Sequence, residues 1–219
     1  YLTDIDGKRY IDGVSGIYVV NVGHGNEHVI EAIRKQQDKV SFVAPLHGVS
    51  DTAVRYAKRL TEVTPEGMNT FKLVSGGSEA TESAIKFARQ YHHQTGNSSK
   101  YKIISNYTAF HGGTMGALSA TGLSGSRKDV FGPFLSGFVH LPPPYCFRCP
   151  YGLTYPPCCM LCANMLEYTI QREGPDSVAA MIVEPISNTG GIVTPPDEYF
   201  QIIRATCTKY NVLLIYDEI

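Results

Sequence analysis

No apolar run in this 219-residue chain approaches the ~20 residues that a membrane-spanning helix requires. Neither sign of charge dominates: 19 basic and 20 acidic side chains leave a formal net charge of -1. No basic stripe or acidic tail stands out from that mixture. It offers nothing to a phosphate backbone or an anionic lipid surface, so neither nucleic acid nor membrane is expected as a partner. Internal repeats are missing as well, which argues against solenoids and propellers. What remains is an ordinary globular balance, 43% hydrophobic and 18% charged, enough for one large domain or a domain plus a small lobe.

The chain starts at Tyr1, without an initiator Met, inside what already reads as structured sequence. It closes on a buried-strand run, Val212 to Ile215, followed at once by Asp217, Glu218 and Ile219. A natural domain rarely stops on a core strand, so the expectation is a fragment of a longer protein.

Thr3 to Asp12 reads as a hairpin about Asp6-Gly7, and Glu27 to Val43 as a helix stopped by Pro45. A second helix is expected from Asp51 to Val63, capped by Ser50, with Val54, Ala57 and Leu60 inside. From there strands and helices alternate. Phe71 to Val74 is an expected strand, Ser78 to His93 a helix with Ala80, Ala84, Phe87, Ala88 and Tyr91 on one face, and Lys102 to Ser105 a strand. A small-residue helix over Thr114 to Thr121, a continuous apolar strand over Val178 to Val183 and a helix over Glu198 to Tyr210 precede the last strand. Such alternation predicts an α/β layer with a mainly parallel sheet covered on both faces.

Ser75-Gly76-Gly77-Ser78-Glu79-Ala80 lies between an expected strand and helix. Glycines there let backbone approach a ligand closely, and the helix's first amides, with the positive end of the macrodipole behind them, suit a phosphate. The Ser78 hydroxyl can add a bond. No Gly-Lys-Ser/Thr follows, so this is not a Walker loop. A plain glycine turn with Ser78 as N-cap accounts for the segment equally well. Phe110-His111-Gly112-Gly113-Thr114 also follows a strand: the ring could stack on a flat cofactor and the His could donate a bond or act as a base. A core Phe beside a satisfied His explains it more simply. Glu184 and Asp217-Glu218 terminate two expected strands, where ligands of open α/β sheets bind. A carboxylate there would stabilise a protonated ring nitrogen.

The order DGKRYIDGVSG, NVGHG, SGGSEATES, FHGGT, VEPISNTGG, IYDEI resembles class III aminotransferases over nearly the whole chain. The resemblance implies the fold-type I architecture of pyridoxal-phosphate enzymes: a large domain with a seven-stranded, mainly parallel sheet flanked by helices, and a small domain built from both chain ends. Residues 1–48 would belong to the small N-terminal lobe, and 49–219 to an incomplete large cofactor-binding domain. Gly77 and Ser78 would hold the phosphate of pyridoxal 5'-phosphate, and Phe110 would stack on its ring with His111 beside it. Asp217 would pair with the ring nitrogen, Ile219 would pack on the other face, and Glu184 would support the Asp217 side. Ile17 and Tyr18 fall where the family lines its substrate pocket. The lysine that forms the family's Schiff base, and the arginine that binds the substrate carboxylate, are expected beyond Ile219.

The implied reaction moves an amino group from an amino donor to a 2-oxo acid, in a homodimer whose subunits share the sites. The Gly- and Pro-rich connection from Gly122 to Pro133, too extended to be idle, gives that pairing slight independent support. Thr189 stands where omega-aminotransferases of the family often have Glu, which weakens a GABA- or ornithine-type assignment and is closer to dialkylglycine decarboxylases. The segment PYCFRCPYGLTYP is similar to members of an archaeal-type group that includes amino-acid racemases. Racemase and decarboxylase therefore stay as alternatives, beside a non-catalytic phosphate- or zinc-binding fragment and a lobe that packs against a full-length partner.

Pro142 to Cys162 holds six of the 13 prolines and five of the six cysteines, and reads as a loop or insertion. Cys146-x2-Cys149 and Cys159-x2-Cys162 have formal zinc-knuckle spacing, with Cys158 extra, but the gap between the pairs is short and proline-rich. The expectation is no metal and free thiols in a reducing compartment, cytoplasmic or mitochondrial. Structural zinc is the alternative, and disulfides come last.

Overall fold

Gly7, with φ at +80°, turns the chain between β1 (Leu2–Thr3) and β2 (Arg9–Tyr10), which pair antiparallel as the Asp6-Gly7 signal predicts. The Asp4 carboxylate fastens this hairpin by accepting from the Asp6 and Lys8 amides and from the Tyr10 hydroxyl. The computed structural model describes residues 1–44, 46–123 and 128–219, in two compact units, Tyr1–Leu73 and Val74–Ile219.

In the first unit a short helical turn, α1 (Ser15–Tyr18), carries positive φ at Ser15, Gly16, Ile17 and Tyr18. A left-handed turn through a β-branched residue is strained. Helix α2 (Glu27–Lys39) starts on Asn26, whose side chain accepts from the Val29 amide. It ends four residues before the expected Val43, because Val40 is already extended. Pro45, the expected stop, lies outside the described residues. Helix α3 (Asp51–Leu60) is capped by Ser50, which accepts from the Ala53 amide at 3.1 Å. It stops short of Val63, and Val54 faces solvent while Ala57 and Leu60 are half-buried.

The expected strand at Phe71 to Val74 does not form. A strand exists through its ladder, and among the described residues none pairs with this run. Leu73 and Val74 stay exposed.

The second unit is the predicted α/β layer. Its elements run α4 (Gly77–Gln94), β3 (Lys102–Asn106), α5 (Met115–Ala120), β4 (Phe138–Leu141), α6 (Leu161–Glu173), β5 (Val178–Val183), α7 (Asp197–Lys209) and β6 (Leu213–Tyr216). The four strands are parallel in the order β4-β3-β5-β6. Side chains alternate across the sheet: Ile104, Met181 and Val183 pack with Leu166, Ile170 and Ile203 on one face. On the other, Ile103, Ala180 and Ile182 meet Ile85, Ala88 and Ala120. Every residue of β5 is buried, as its unbroken apolar run requires. Burying an Ile such as Ile103 or Ile104 completely contributes about 1.5–3 kcal/mol each.

Helix α4 buries a face one residue round from the expected one. Thr81, Ile85, Ala88 and His92 point inward, while Phe87 and Tyr91 are exposed. His92 causes the shift. The register of β5 on β3 slips between Lys102 and Ile103, so Ala179 is the extra residue of a bulge, and His92 Nε2 meets its carbonyl at 2.9 Å. Lys100, also buried, donates from Nζ to the carbonyls of Pro175, Val178 and Tyr210, tying the start of β5 to the end of α7. Strand β4 and most of α6 were not anticipated. Helix α6 begins at Leu161, two residues inside the segment expected to be loop. Part of the Gly122 to Pro133 connection, residues 124–127, lies outside the described residues; a 3-10 turn spans Asp129–Phe131.

Candidate functional site

Parallel strands present their carboxyl ends to the same side, and the acidic residues singled out in the sequence sit there. Glu184 follows β5 directly, and Asp217 follows β6, its amide still donating to the Val183 carbonyl at 2.9 Å. The loop leaving β3 brings His111 to them from a third strand. His111 Nδ1 lies 2.9 Å from Asp217 Oδ2. A carboxylate only accepts, so Nδ1 carries the proton in that bond.

His111 is fixed on all sides. Its amide donates to Thr121 Oγ1 at 2.9 Å, its carbonyl accepts from the Thr81 hydroxyl at 2.7 Å, and its ring is buried. Nε2 is buried without a protein partner. A ring held this firmly orients the Asp217 carboxylate, which keeps about a fifth of its surface open.

The same loop is pressed onto the start of α4. The Gly113 amide donates to Ser78 Oγ at 3.0 Å, leaving the Ser78 proton free to donate elsewhere. Gly112 has φ at +132°, and a Cβ there would stand 2.6 Å from Ser78 Oγ and 2.8 Å from Ala117 Cβ, so only glycine fits. Glu82 supports the arrangement from α4: its Oε1 accepts from the Thr114 hydroxyl and from the Gly116 and Ala117 amides, capping α5. Gly77 differs from Gly112. A Cβ at Gly77 would meet no protein atom within 4 Å, so the backbone faces open space at the helix N-terminus. Gly77, Thr81, Ile182 and Asp217 line a cleft of about 230 Å³. The first-turn amides of α4 suit a phosphate, and the Asp217 carboxylate suits a protonated ring nitrogen, so the cleft fits a molecule carrying both.

Glu184 is buried, with Oε2 accepting from the Ser187 hydroxyl at 3.0 Å and Oε1 without a protein partner. Burial holds its carboxyl above the usual range, and the nearby Asp217 charge pushes the same way. A raised folded-state pKa means that the native state holds this proton longer than the unfolded chain. Its stabilising effect is complete below the ordinary Glu range and is lost as pH rises through the folded value. Glu184→Gln should therefore leave stability at neutral pH unchanged or higher, and should flatten the decline just above the ordinary carboxyl range. Urea unfolding across that pH interval checks this; a variant with the wild-type slope would refute it.

The other predicted site residues are placed less centrally. Phe110 and Ile219 are both exposed, and neither lines the cleft. Ile17 and Tyr18 lie on the left-handed turn of the first unit, Ile17 largely exposed. Thr189 is exposed in the loop after Glu184, which Ser187 and Val193 pinch through a short antiparallel bridge. Thr81, Thr121, Glu82 and Ser187 were not singled out. Thr81 and Glu82, inside SGGSEATES, and Ser187, inside VEPISNTGG, lay within quoted motifs; Thr121 did not. All six cysteines are free thiols.

A model of the family described as aminotransferase class-III matches residues 1–219. The chain is 39% identical to the Bacillus subtilis aminotransferase YhxA, over 100% of this chain and 47% of that protein. Taurine–pyruvate aminotransferase of Bilophila wadsworthia is 38% identical over 100% of the chain and 47% of its own length. Among solved structures, an (S)-enantioselective omega-transaminase from Thermomicrobium roseum superposes with a TM-score of 0.94 at 44% identity, over 99% of this chain and 48% of that one. A PLP-bound amine transaminase from an uncultivated Pseudomonas species gives 0.91 at 34% identity, covering 99% and 49% respectively. The architecture is thus that of fold-type I pyridoxal-phosphate enzymes, and the chain spans about half the length of the curated relatives it matches. With the whole of its length matched, the chain belongs to the class III aminotransferase family.

Proposed function

We propose that a protein containing this chain at the length of its relatives is a pyridoxal-phosphate-dependent aminotransferase, moving an amino group from a small amino donor to a 2-oxo acid. The observation that carries the reading is the His111–Asp217 pair, seated at the carboxyl ends of parallel strands beside the open N-terminus of α4. Pyridoxal phosphate, when bound, supplies an electron sink for charge developing on the substrate. The chain's own residues do the holding. Gly77 and Ser78 receive the phosphate at the first turn of α4, and the positive end of that helix complements its charge.

Asp217 would face the ring nitrogen and hold its proton in place, while the bond from His111 keeps the carboxylate from turning away. Glu184 lends the Asp217 side a second acidic group whose charge state burial controls. By the resemblance Phe110 and Ile219, exposed beside the cleft's lining, would cover the two ring faces, and Ile17 and Tyr18 would line the substrate pocket. Residues 1–48 belong to the small domain, residues 49–219 to the large one, and two copies complete each other's sites. By the resemblance, the lysine that forms the Schiff base would lie beyond Ile219 on the same polypeptide.

The test is direct. The full-length protein is purified, pyridoxal phosphate is added, and absorbance and amino transfer from an amine to pyruvate or 2-oxoglutarate are followed. A bound-cofactor band with measurable transfer is expected. A protein that develops neither overturns the reading, and a band with racemisation or decarboxylation in place of transfer overturns the reaction assignment alone.

A further inference from the structure

The cysteine-rich segment is not part of the proposed cofactor site, yet the fold gathers its thiols. Cys146, Cys149, Cys158 and Cys162 all line one small cavity of about 20 Å³, whose other walls are prolines, tyrosines and the apolar Leu153, Met160 and Leu161. A space of that size takes a single atom-sized occupant. Cys159 is not among the lining residues: it is exposed, and its thiol turns to the Pro157 carbonyl at 3.5 Å. The set is thus C-x2-C and C-x3-C, with Cys158 in the place that spacing alone gave to Cys159.

Local geometry explains the gathering. Cys146–Arg148 is a 3-10 turn with Cys149 as its C-cap, and in such a turn residues three apart stand on the same side. Cys162 sits in the first turn of α6, where burial pushes its thiol pKa up to about 11, so it stays protonated until a cation displaces the proton. Cys158 is linked to the same helix start, because its carbonyl accepts from the Leu161 amide at 3.2 Å. The Tyr151 hydroxyl, also on the cavity wall, is buried without a partner.

We propose that this loop is a structural metal site for zinc, with Cys146, Cys149, Cys158 and Cys162 as its ligands. Among the described residues no three His, Cys, Asp or Glu side chains converge at ligand spacing, so the proposed site requires the thiols to move inward about the cavity when the cation binds. Four sulfurs at about 2.3 Å in a tetrahedron satisfy zinc without water. Each ligating thiol gives its proton to solvent and a lone pair to the metal. One dication and four thiolates leave a net charge of two negatives, with up to four protons released. The metal would fix a segment that has little regular structure of its own and that leads directly into α6.

The experiment is metal analysis of the full-length protein, purified without a chelating tag, beside four single variants. Wild type should hold about one zinc per chain, and so should Cys159→Ser, whereas Cys146→Ser, Cys158→Ser and Cys162→Ser should each retain less than a tenth of it. If the ligand variants fail to fold, wild type stripped of metal serves instead. Added zinc should raise its melting temperature, and added cobalt(II) should produce the absorption of a tetrahedral thiolate site. Stripped wild type that takes up neither metal stoichiometrically overturns the proposal. So does a Cys159→Ser protein that loses zinc as fully as Cys158→Ser. Pyridoxal phosphate content, read on the same samples, is independent of either outcome.

Discussion

Asp217→Ala in the full-length enzyme is expected to lower turnover on the order of a thousandfold or more while the cofactor stays bound, the scale seen when one preorganised charge facing the reacting group is removed. The carboxylate stands 2.9 Å from a buried histidine that is itself held by Thr81 and Thr121, so it is a charge set in advance of the reaction. In the proposed role, its loss would remove what keeps the ring nitrogen protonated, and the cofactor would then draw less electron density from the substrate. The proposed phosphate contacts at α4 would be untouched, which is why binding should persist. Alanine also strands the Nδ1 proton of His111 in a buried place, and that alone would destabilise the fold. Asp217→Asn separates the two effects. Its amide oxygen still accepts from His111, so the melting temperature should stay near wild type while turnover falls nearly as far. Steady-state rates at saturating donor, with cofactor content from absorbance, decide it. A near-normal rate in Asp217→Asn would sink the assignment of charge to this residue.

What could be read from the sequence follows the range of the forces involved. The hairpin at Asp6-Gly7, the Ser50 cap and the β5 run are short-range signals, and each appears where it was expected. The ends of strands were legible too, which is how Glu184, Asp217 and the FHGGT loop came to be considered together. Interactions that cross the chain were not. Thr81 and Glu82 bond to residues 30 or more positions away, and nothing local marks either as a partner of His111 or of α5. The inward face of α4 includes the polar His92, whose acceptor is supplied by a bulge 87 residues on, out of reach of any local pattern. Phe71 to Val74 had strand composition but finds no ladder among the described residues, and composition cannot supply one. In the cysteine-rich loop, spacing favoured Cys159, and only the turn geometry around Pro157 brings Cys158 to the cavity.

Gly77→Val should weaken pyridoxal phosphate binding by about 100-fold, equivalent to roughly 2.7 kcal/mol, without unfolding the protein. The two halves of that statement come from one observation. Beyond its own helix and chain neighbours, a Cβ at Gly77 meets no protein atom within 4 Å, so a Cβ can be added there without pressing on the rest of the fold. Gly77 is also the first residue of α4, where the cost of a β-branched residue is at most about 0.7 kcal/mol. The space the valine would occupy is the approach to the first-turn amides, and a phosphate must come within hydrogen-bond distance of them. Gly112→Ala is the opposing control. There the new Cβ would press on Ser78 and Ala117 from a backbone with φ at +132°, so the cofactor-free protein itself should melt at a lower temperature. Fluorescence titration of cofactor into each cofactor-free variant, paired with its melting curve, distinguishes the two. The expected pattern is weak binding on a stable fold for Gly77→Val, and a less stable fold for Gly112→Ala. Wild-type affinity in Gly77→Val would move the phosphate away from this helix.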